Sequence, residues 1–416
     1  MIKKRSNCRL CLSPDVKMIY AMPHCPPVDN YRFADDPDID LPGFPMDLYM
    51  CQSCGHAQLL DVVDPDILFG NYIYTSSSSP DLNDHFTAYA NTLVQYAGLG
   101  DGDLVVDIGS NDGLLLSKFL SHGVRVVGID PAAEVAKQAI AKGIPTVVSF
   151  INETACDSVR KDYGLANVVC ANNVFSHSDD LIGFAKCVKS LLKDDGLFVF
   201  EVSYLRDLVE NKVIDYVYHE HLAHHSIKAL KSFFDSLDMT LIDVQRVVVK
   251  GGSIRCFASN QASRWAEKQI IGDMIAEEES RALYDPDTYS ELKREMDAIG
   301  DRARAVLKTE VDAGKKVASY GASATATVIN HMYDLNELFS FIVDDNAGRQ
   351  GRLSPGFKTP VVSSDMLCDT MPSMTFISAW RFADMIIQRN QQYLEKGGRF
   401  IVPLPDFRIV SLDGDE

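Results

Sequence analysis

The sequence predicts an α/β protein of several domains. Three observations carry this. Two separate stretches alternate short apolar runs with helical periods, each stretch opens on a glycine-centred turn, and two C-x-x-C pairs precede both. At 416 residues the chain exceeds one ordinary core, so two or three domains are expected. Strand–helix alternation of this kind builds a parallel sheet covered on both faces.

Composition narrows the function classes. The apolar fraction of 46% is that of a globular protein, and no apolar run approaches membrane-spanning length. With a net charge of −18, no long basic surface can be assembled, which argues against a nucleic-acid partner. The opening MIKKRSNCRLCLSPD is basic, but no apolar stretch follows it, so no secretory signal is read and a cytoplasmic location is expected. No membrane partner is expected, and the oligomeric state is left open.

At the N-terminus Cys8 and Cys11 form C-R-L-C, and Cys51 and Cys54 form C-Q-S-C. Without a secretory signal, paired C-x-x-C units point to metal rather than disulfides. Each turn aims two thiolates at one ion, and two such turns complete a tetrahedral zinc site. His24, Cys25 and His56 are rival ligands, but the symmetry of the pairs favours the four cysteines. A site with four protein ligands has no open position and holds a fold rather than performing catalysis. Cys156, Cys170, Cys187, Cys256 and Cys368 stand in mostly apolar contexts and read as core.

Next, PDLNDHFTAYANTLVQYAG (80–98) reads as a helix and LVVDIGSNDGLLLSKFLSHG (104–123) as strand, turn and helix. VRVVGIDP (124–131) is a second strand ending in an acid. NVVCANNVFSH (167–177), a helical LIGFAKCVKSLLKDDG and the strand LFVFEVS continue the alternation. The turn D-I-G-S-N-D-G lacks the G-x-G-x-x-G of a pyrophosphate cradle. Instead Gly109 and Gly113 bracket Ser110, Asn111 and Asp112, with Asp107 ending one strand and Asp130 the next. This spacing resembles the S-adenosylmethionine site of class I methyltransferases, in which a glycine turn lies beneath the amino-acid part and the second acid takes the ribose hydroxyls. A sulfonium without phosphate suits a loop of acids. Asn172 and Asn173 stand where they could flank the methyl donor. The plainer reading is an unrelated αβ turn with a solvated aspartate.

Residues 216–226, YVYHEHLAHHS, hold His219, His221, His224 and His225, four of the ten histidines of the chain. They read as metal ligands, as acid/base groups or as a polar loop. No H-E-x-x-H pattern supports the first. The C-x-x-C pairs, Y-x-Y-x-S-S (Tyr72 to Ser77), D-I-G-S-N-D-G, N-N-V-F-S-H, Y-H-E-H and V-K-G-G-S-I-R occur in this order. That series is similar to the sugar C-methyltransferases of deoxysugar biosynthesis, across essentially the whole chain.

The resemblance implies a zinc-binding domain (1–75), a class I methyltransferase domain with a doubly wound sheet (76–260), a helical linker (261–312) and a C-terminal Rossmann-like α/β domain helping to bind the nucleotide (313–416). It implies S-adenosylmethionine and structural zinc as cofactors and a nucleoside-diphosphate keto sugar as substrate. Carried over by motif, His221 is the base, Tyr218 a donor near the substrate oxygen and Glu220 its orienting partner. His177 and Tyr74 face the substrate, with Ser76, Lys250 and Gly251 on the same side. His219, His224 and His225 read as a polar loop without chemistry. A histidine suits removal of a proton beside a carbonyl, because neutral imidazole is available near working pH.

DVQRVVVKGGSIRCFAS (243–259) is a strand pair whose Gly251 and Gly252 serve either a hairpin bend or close backbone approach. A long charged helical stretch follows, broken in two at Pro286. KKVASYGASATATVIN (315–330) opens a second αβ unit, whose helix start after Tyr320 and Gly321 could receive a phosphate. Relatives typically carry a lysine in this turn, where this chain has Ser323, Ala324 and Thr325, and an asparagine after A-W, where it has Arg381. Arg349 and Arg352 are the nearest cations that could offset a diphosphate. The expectation is a C-methyltransferase acting through an enolate. A sugar O-methyltransferase, a nucleic-acid methyltransferase and a non-catalytic cofactor-binding protein are its rivals.

Overall fold

The computed structural model describes residues 2–36, 41–69, 75–78, 80–249 and 251–415. At the N-terminus β1 (Ile2–Lys4) pairs with β5 (Asp61–Val63), and β2 (Val16–Tyr20), β3 (Leu48–Cys51) and β4 (Ala57–Leu59) form an antiparallel meander. The cysteine pairs sit in the turns around this meander.

The central sheet contains β6 (Leu104–Ile108), β7 (Arg125–Asp130), β8 (Thr146–Val148), β9 (Ala166–Cys170) and β10 (Leu192–Ser203), all parallel. β11 (Ala223–His224) leaves this unit and pairs with β4, adding a fourth strand to the N-terminal meander. β12 (Met239–Val247) and β13 (Ser253–Asn260) return to the central sheet, β13 running antiparallel to both β10 and β12. The order is β12-β13-β10-β9-β6-β7-β8. Neighbours β6 and β9 therefore send their connections to opposite sides, and the crevice beyond their carboxyl ends is where α/β sheets bind ligands.

Every residue of β6 is buried, as a parallel strand covered on both faces requires. Side chains alternate between the two layers. Val105, Val168, Leu197 and Val199 pack with Phe86, Tyr89, Leu93 and Phe119 on one side. Val106, Val169, Phe198 and Phe200 pack with Phe175, Phe184, Val188 and Phe234 on the other. The period-2 pattern of these runs is what places each residue in its layer.

The linker is two helices, Gln269–Ser280 and Pro286–Asp312, the second opening on Pro286 with the Asp285 side chain accepting the Asp287 N–H at 3.0 Å. The C-terminal sheet holds β14 (Val317–Tyr320), β15 (Phe341–Val343), β16 (Val361–Val362), β17 (Met374–Ile377), β18 (Phe400–Val402), β19 (Arg408–Ser411) and β20 (Gly414–Asp415). Their order is β16-β15-β14-β17-β18-β19-β20, parallel through β18 and antiparallel beyond it. It repeats the doubly wound logic of the central sheet, with its own switch between β14 and β17.

Glu278 ties the linker to the central unit. It is fully buried and accepts from Tyr204 Oη at 2.9 Å, from the Ile227 N–H at 2.7 Å, from the Lys228 N–H at 3.1 Å and from Tyr284 Oη. One carboxylate thus caps the helix Ile227–Asp235 from a distant element. Burial raises its pKa, and the four donors oppose that rise. Glu278→Ala strands buried donors, so urea unfolding should show a loss of about 2–4 kcal/mol. An unchanged urea midpoint would contradict this bridge.

Candidate active site

The four cysteines converge. The Sγ atoms of Cys8, Cys11, Cys51 and Cys54 all lie within 4.8 Å of one another, with Cys8–Cys54 at 3.6 Å and Cys11–Cys51 at 3.5 Å. Zinc with Zn–S bonds of about 2.3 Å needs tetrahedral thiolates about 3.8 Å apart, and the set fits. Both pairs are held by the same local turn, Leu12 N–H to Cys8 O at 3.1 Å and Gly55 N–H to Cys51 O at 2.9 Å. The rivals are elsewhere in use. Cys25 is buried and bridged to Phe44, and His56 packs on His225 with ring centroids 5.5 Å apart. The site is a closed, structural zinc centre.

Beyond β6 the chain makes the turn read as the cofactor loop. Gly109 has φ +72°, and a Cβ there would fall 2.2 Å from Val174 Cγ2, so only glycine lets the turn lie against the loop after β9. Asp107 and Asp130 are both buried at strand ends. Burial, reinforced by the charge of Asp130, holds the Asp107 carboxyl well above the usual carboxylate range. Asp130 accepts the Asn111 N–H on Oδ2 and the Ala132 N–H on Oδ1, each at 2.8 Å. A carboxylate has about four acceptor sites, so both oxygens keep capacity for a pair of hydroxyls. Acceptor oxygens at the two strand ends suit a ligand that offers hydroxyls and a sulfonium and no phosphate, which fits S-adenosylmethionine. Asn111 Oδ1 takes the Ser76 N–H at 2.8 Å, and Asp112 Oδ2 takes Lys142 Nζ at 3.0 Å.

The next two strand ends complete the floor. Asn172 turns inward, its Oδ1 accepting the Glu201 N–H at 2.9 Å, while Asn173 lines a cleft with Ser176, His177, Ser203, His221 and His224. The loop after β9 and the histidine segment thus face one hollow. His221 Nδ1 lies 2.8 Å from the Tyr216 carbonyl. A carbonyl only accepts, so Nδ1 carries the proton and the lone pair is on Nε2. The His221 ring stands 4.0 Å from that of Tyr218 and 5.2 Å from that of His177, centroid to centroid. Glu220 is half-buried between His219 and His221.

The remaining histidines of the segment are not the polar loop the sequence suggests. His219, His224 and His225 are buried, with His224 on β11 at the edge of the N-terminal meander. Burial lowers their pKa values to about 4, about 4 and about 3 respectively. Rings that resist protonation are poor proton acceptors at neutral pH. His225 stacks on Phe175 at 5.3 Å as an ordinary core ring.

The other expected substrate residues scatter. Tyr74 and Lys250 lie outside the described residues. Gly251 borders a second hollow with Ser203, Tyr204 and Tyr216, and Gly252 makes the hairpin bend at φ +125°, where a Cβ would overlap Asp207. Tyr320 Oη donates to Asp345 at 2.9 Å, and the Ala322 N–H before the C-terminal helix is already taken by Asp344 at 2.6 Å. Arg349 donates to Asp29 at 3.0 Å and to Ala322 O at 2.6 Å, and Arg352 to Gly348 O and Tyr31 O. Both arginines bind the N-terminal excursion to the C-terminal sheet. Two groupings escaped the sequence reading: Glu201 with Arg255 at 2.7 Å and His85 at 2.7 Å, and Asp215 with Arg381 at 3.0 Å. Their members are far apart in the chain, and no local pattern joins them.

Comparison with known proteins follows the same division. A model described as a putative zinc binding domain matches residues 8–69, a methyltransferase domain matches 83–244, and a C-methyltransferase C-terminal domain matches 248–405. The C-methyltransferase NovU of Streptomyces niveus is 32% identical over 414 residues, covering 99% of each chain. The chain belongs to the C-methyltransferase family. Among solved structures, the magnesium protoporphyrin IX methyltransferase ChlM of Synechocystis PCC 6803 with bound SAH aligns at TM-score 0.35 and 14% identity, over 43% of this chain and 83% of that one. The plantazolicin methyltransferase BpumL in complex with SAH aligns at TM-score 0.34 and 14% identity, over 44% and 92%. As a family member the chain is an enzyme that transfers a one-carbon group, built on a methyltransferase fold with a zinc domain before it. No helix among the described residues is long and apolar enough to cross a membrane.

Removal of two zinc ligands tests the metal assignment. Purified protein should carry about one zinc per chain. The double variant Cys8→Ala/Cys51→Ala should lose the ion and melt at a lower temperature. Metal analysis finding stoichiometric zinc in that variant would contradict the four-cysteine site.

Proposed function

We propose that this enzyme transfers a methyl group from S-adenosylmethionine to the carbon beside the ketone of a keto-deoxysugar carried on a nucleoside diphosphate. The observation that carries the reading is the 2.8 Å contact from His221 Nδ1 to the Tyr216 carbonyl, which assigns the lone pair to Nε2 of a ring that lines the same cleft as Asn173. NovU, similar over the whole length, is by its name a C-methyltransferase, and this supports carbon rather than oxygen as the acceptor.

The residues divide the work as follows. Asp107, Gly109, Asn111, Asp112, Gly113 and Asp130 hold the cofactor, with Asn172 behind them as a backbone support and Asn173 beside the reacting end. S-adenosylmethionine supplies an electrophilic methyl on a sulfonium. His221 Nε2 takes the proton alpha to the ketone, and the developing enolate oxygen receives a hydrogen bond from Tyr218, with His177, Tyr74, Ser76, Lys250 and Gly251 around the sugar. Glu220 helps orient the segment. The rate comes mainly from alignment and from donors fixed in advance. Tyr320, Arg349 and Arg352 mark the side toward the nucleotide. The working division of the chain is 1–75, 76–260, 261–312 and 313–416, and reduced cysteines suit a cytoplasmic enzyme.

His221→Ala tests the reading. It should lower kcat by about 10²- to 10⁴-fold, the range lost with a general base, while leaving the dissociation constant for S-adenosylhomocysteine unchanged. Normal turnover by the folded variant would overturn the assignment. NMR of the product should show a methyl on carbon, whereas a methoxy signal would convert the reading to O-methylation.

A further inference from the structure

We infer that Arg381 is a positioning residue for His221, through which the C-terminal sheet sets the tautomer of the catalytic imidazole. The inference rests on the reading of His221 as the base. Its ground is the ion pair with Asp215. Arg381 lies just past β17, at the switch between β14 and β17, on the short turn Trp380–Phe382. From there its guanidinium crosses to the histidine segment. Nη1 donates to Asp215 Oδ1 at 3.1 Å and to Oδ2 at 3.0 Å, and Nη2 donates to Thr325 Oγ1 at 2.9 Å. Trp380 Nε1 adds a further donor to Asp215 Oδ2 at 3.0 Å. The guanidinium Cζ lies 4.9 Å from the centre of the Tyr216 ring.

Asp215 is fully buried and the Arg381 side chain is 17% exposed. A pair so desolvated has one favourable geometry, since breaking it leaves a charge with no solvent. Nη1 reaches both carboxylate oxygens while Nη2 is held by Thr325, and the rigid guanidinium between these anchors restricts the carboxylate in orientation as well as distance. Asp215 directly precedes Tyr216, whose carbonyl accepts the His221 Nδ1 proton and whose ring stands 5.7 Å from the imidazole at 19°. Rotation of the peptide between Tyr216 and Val217 would withdraw that carbonyl, and either ring nitrogen could then carry the proton. The clamp on Asp215 and the cation on the Tyr216 ring resist this rotation, beside the Val217 N–H bond to the Ile214 carbonyl at 3.0 Å. His177 and Tyr218 near the imidazole belong to the methyltransferase unit, so Arg381, with Trp380 beside it, links the C-terminal sheet to this segment.

Two variants separate positioning from mere docking. Arg381→Lys keeps the charge on Asp215 but gives up the rigid guanidinium and its bond to Thr325. Asp215→Asn with Arg381→Gln removes the buried pair without leaving a lone charge. Full-length proteins with ¹⁵N-labelled histidine are compared, and the His221 signals are assigned by their absence in His221→Gln. The wild type should show a protonated Nδ1. Both variants should show a mixture of tautomers and a kcat reduced about tenfold to a hundredfold, with the affinity for S-adenosylhomocysteine retained, as a small displacement of a reacting group predicts. An unchanged His221 tautomer with kcat within about twofold of wild type, in either folded variant, would overturn the proposal, since ~0.4 kcal/mol is too little for a lost alignment. An active His221→Gln would instead refute the base itself.

Discussion

The backbone of residues 214–226 is held by three different parts of the chain, and the active site depends on that constraint. β11 is paired to β4 of the cysteine-bearing meander, and the Leu222 carbonyl accepts the Leu59 N–H at 3.0 Å. His225 bridges to Tyr204 beside the central sheet, its carbonyl taking the Leu205 N–H at 2.8 Å. Asp215 is clamped from the C-terminal sheet by Arg381. A segment anchored so often has little freedom left, and a reacting group gains most from a rigid support.

This anchoring explains why four histidines so close in sequence have different fates. His219 reaches the Phe44 carbonyl at 3.2 Å, and His224 and His225, where β11 joins the meander, are buried from water. Their low pKa values follow from burial. His221 alone of the four is half-buried, and it borders the cleft with its Nδ1 directed at a carbonyl. The zinc centre also acquires a role at a distance. It does no chemistry, but it stiffens the meander whose edge receives β11.

What the sequence made legible was local. The D-I-G-S-N-D-G turn, the acid at the end of β7 and the C-x-x-C pairs each concern residues adjacent along the chain, where spacing fixes geometry. Strand–helix alternation made a parallel, doubly wound sheet legible, though not its strand order. Contacts across long separations were not legible: β11 with β4, Glu201 with His85 at a separation of 116 positions, and Arg381 with Asp215 at 166. Arg349 and Arg352, in R-Q-G-R, were read as the nearest cations that could offset a diphosphate. Asp29 and the Tyr31 carbonyl, some 320 positions away, already engage them. His224 and His225 looked polar because sequence alone does not reveal which loop a fold will cover.

Proton removal before methyl transfer is the central claim, and it can be observed alone. Incubation of the enzyme with its keto-sugar nucleotide and S-adenosylhomocysteine in deuterium oxide blocks transfer but leaves the base in place. Mass spectrometry or NMR should then show deuterium entering only at the carbon destined for methylation, at a rate that collapses when His221 is replaced. Exchange that persists without this imidazole, or a substrate that methylates normally while another position exchanges, would contradict it.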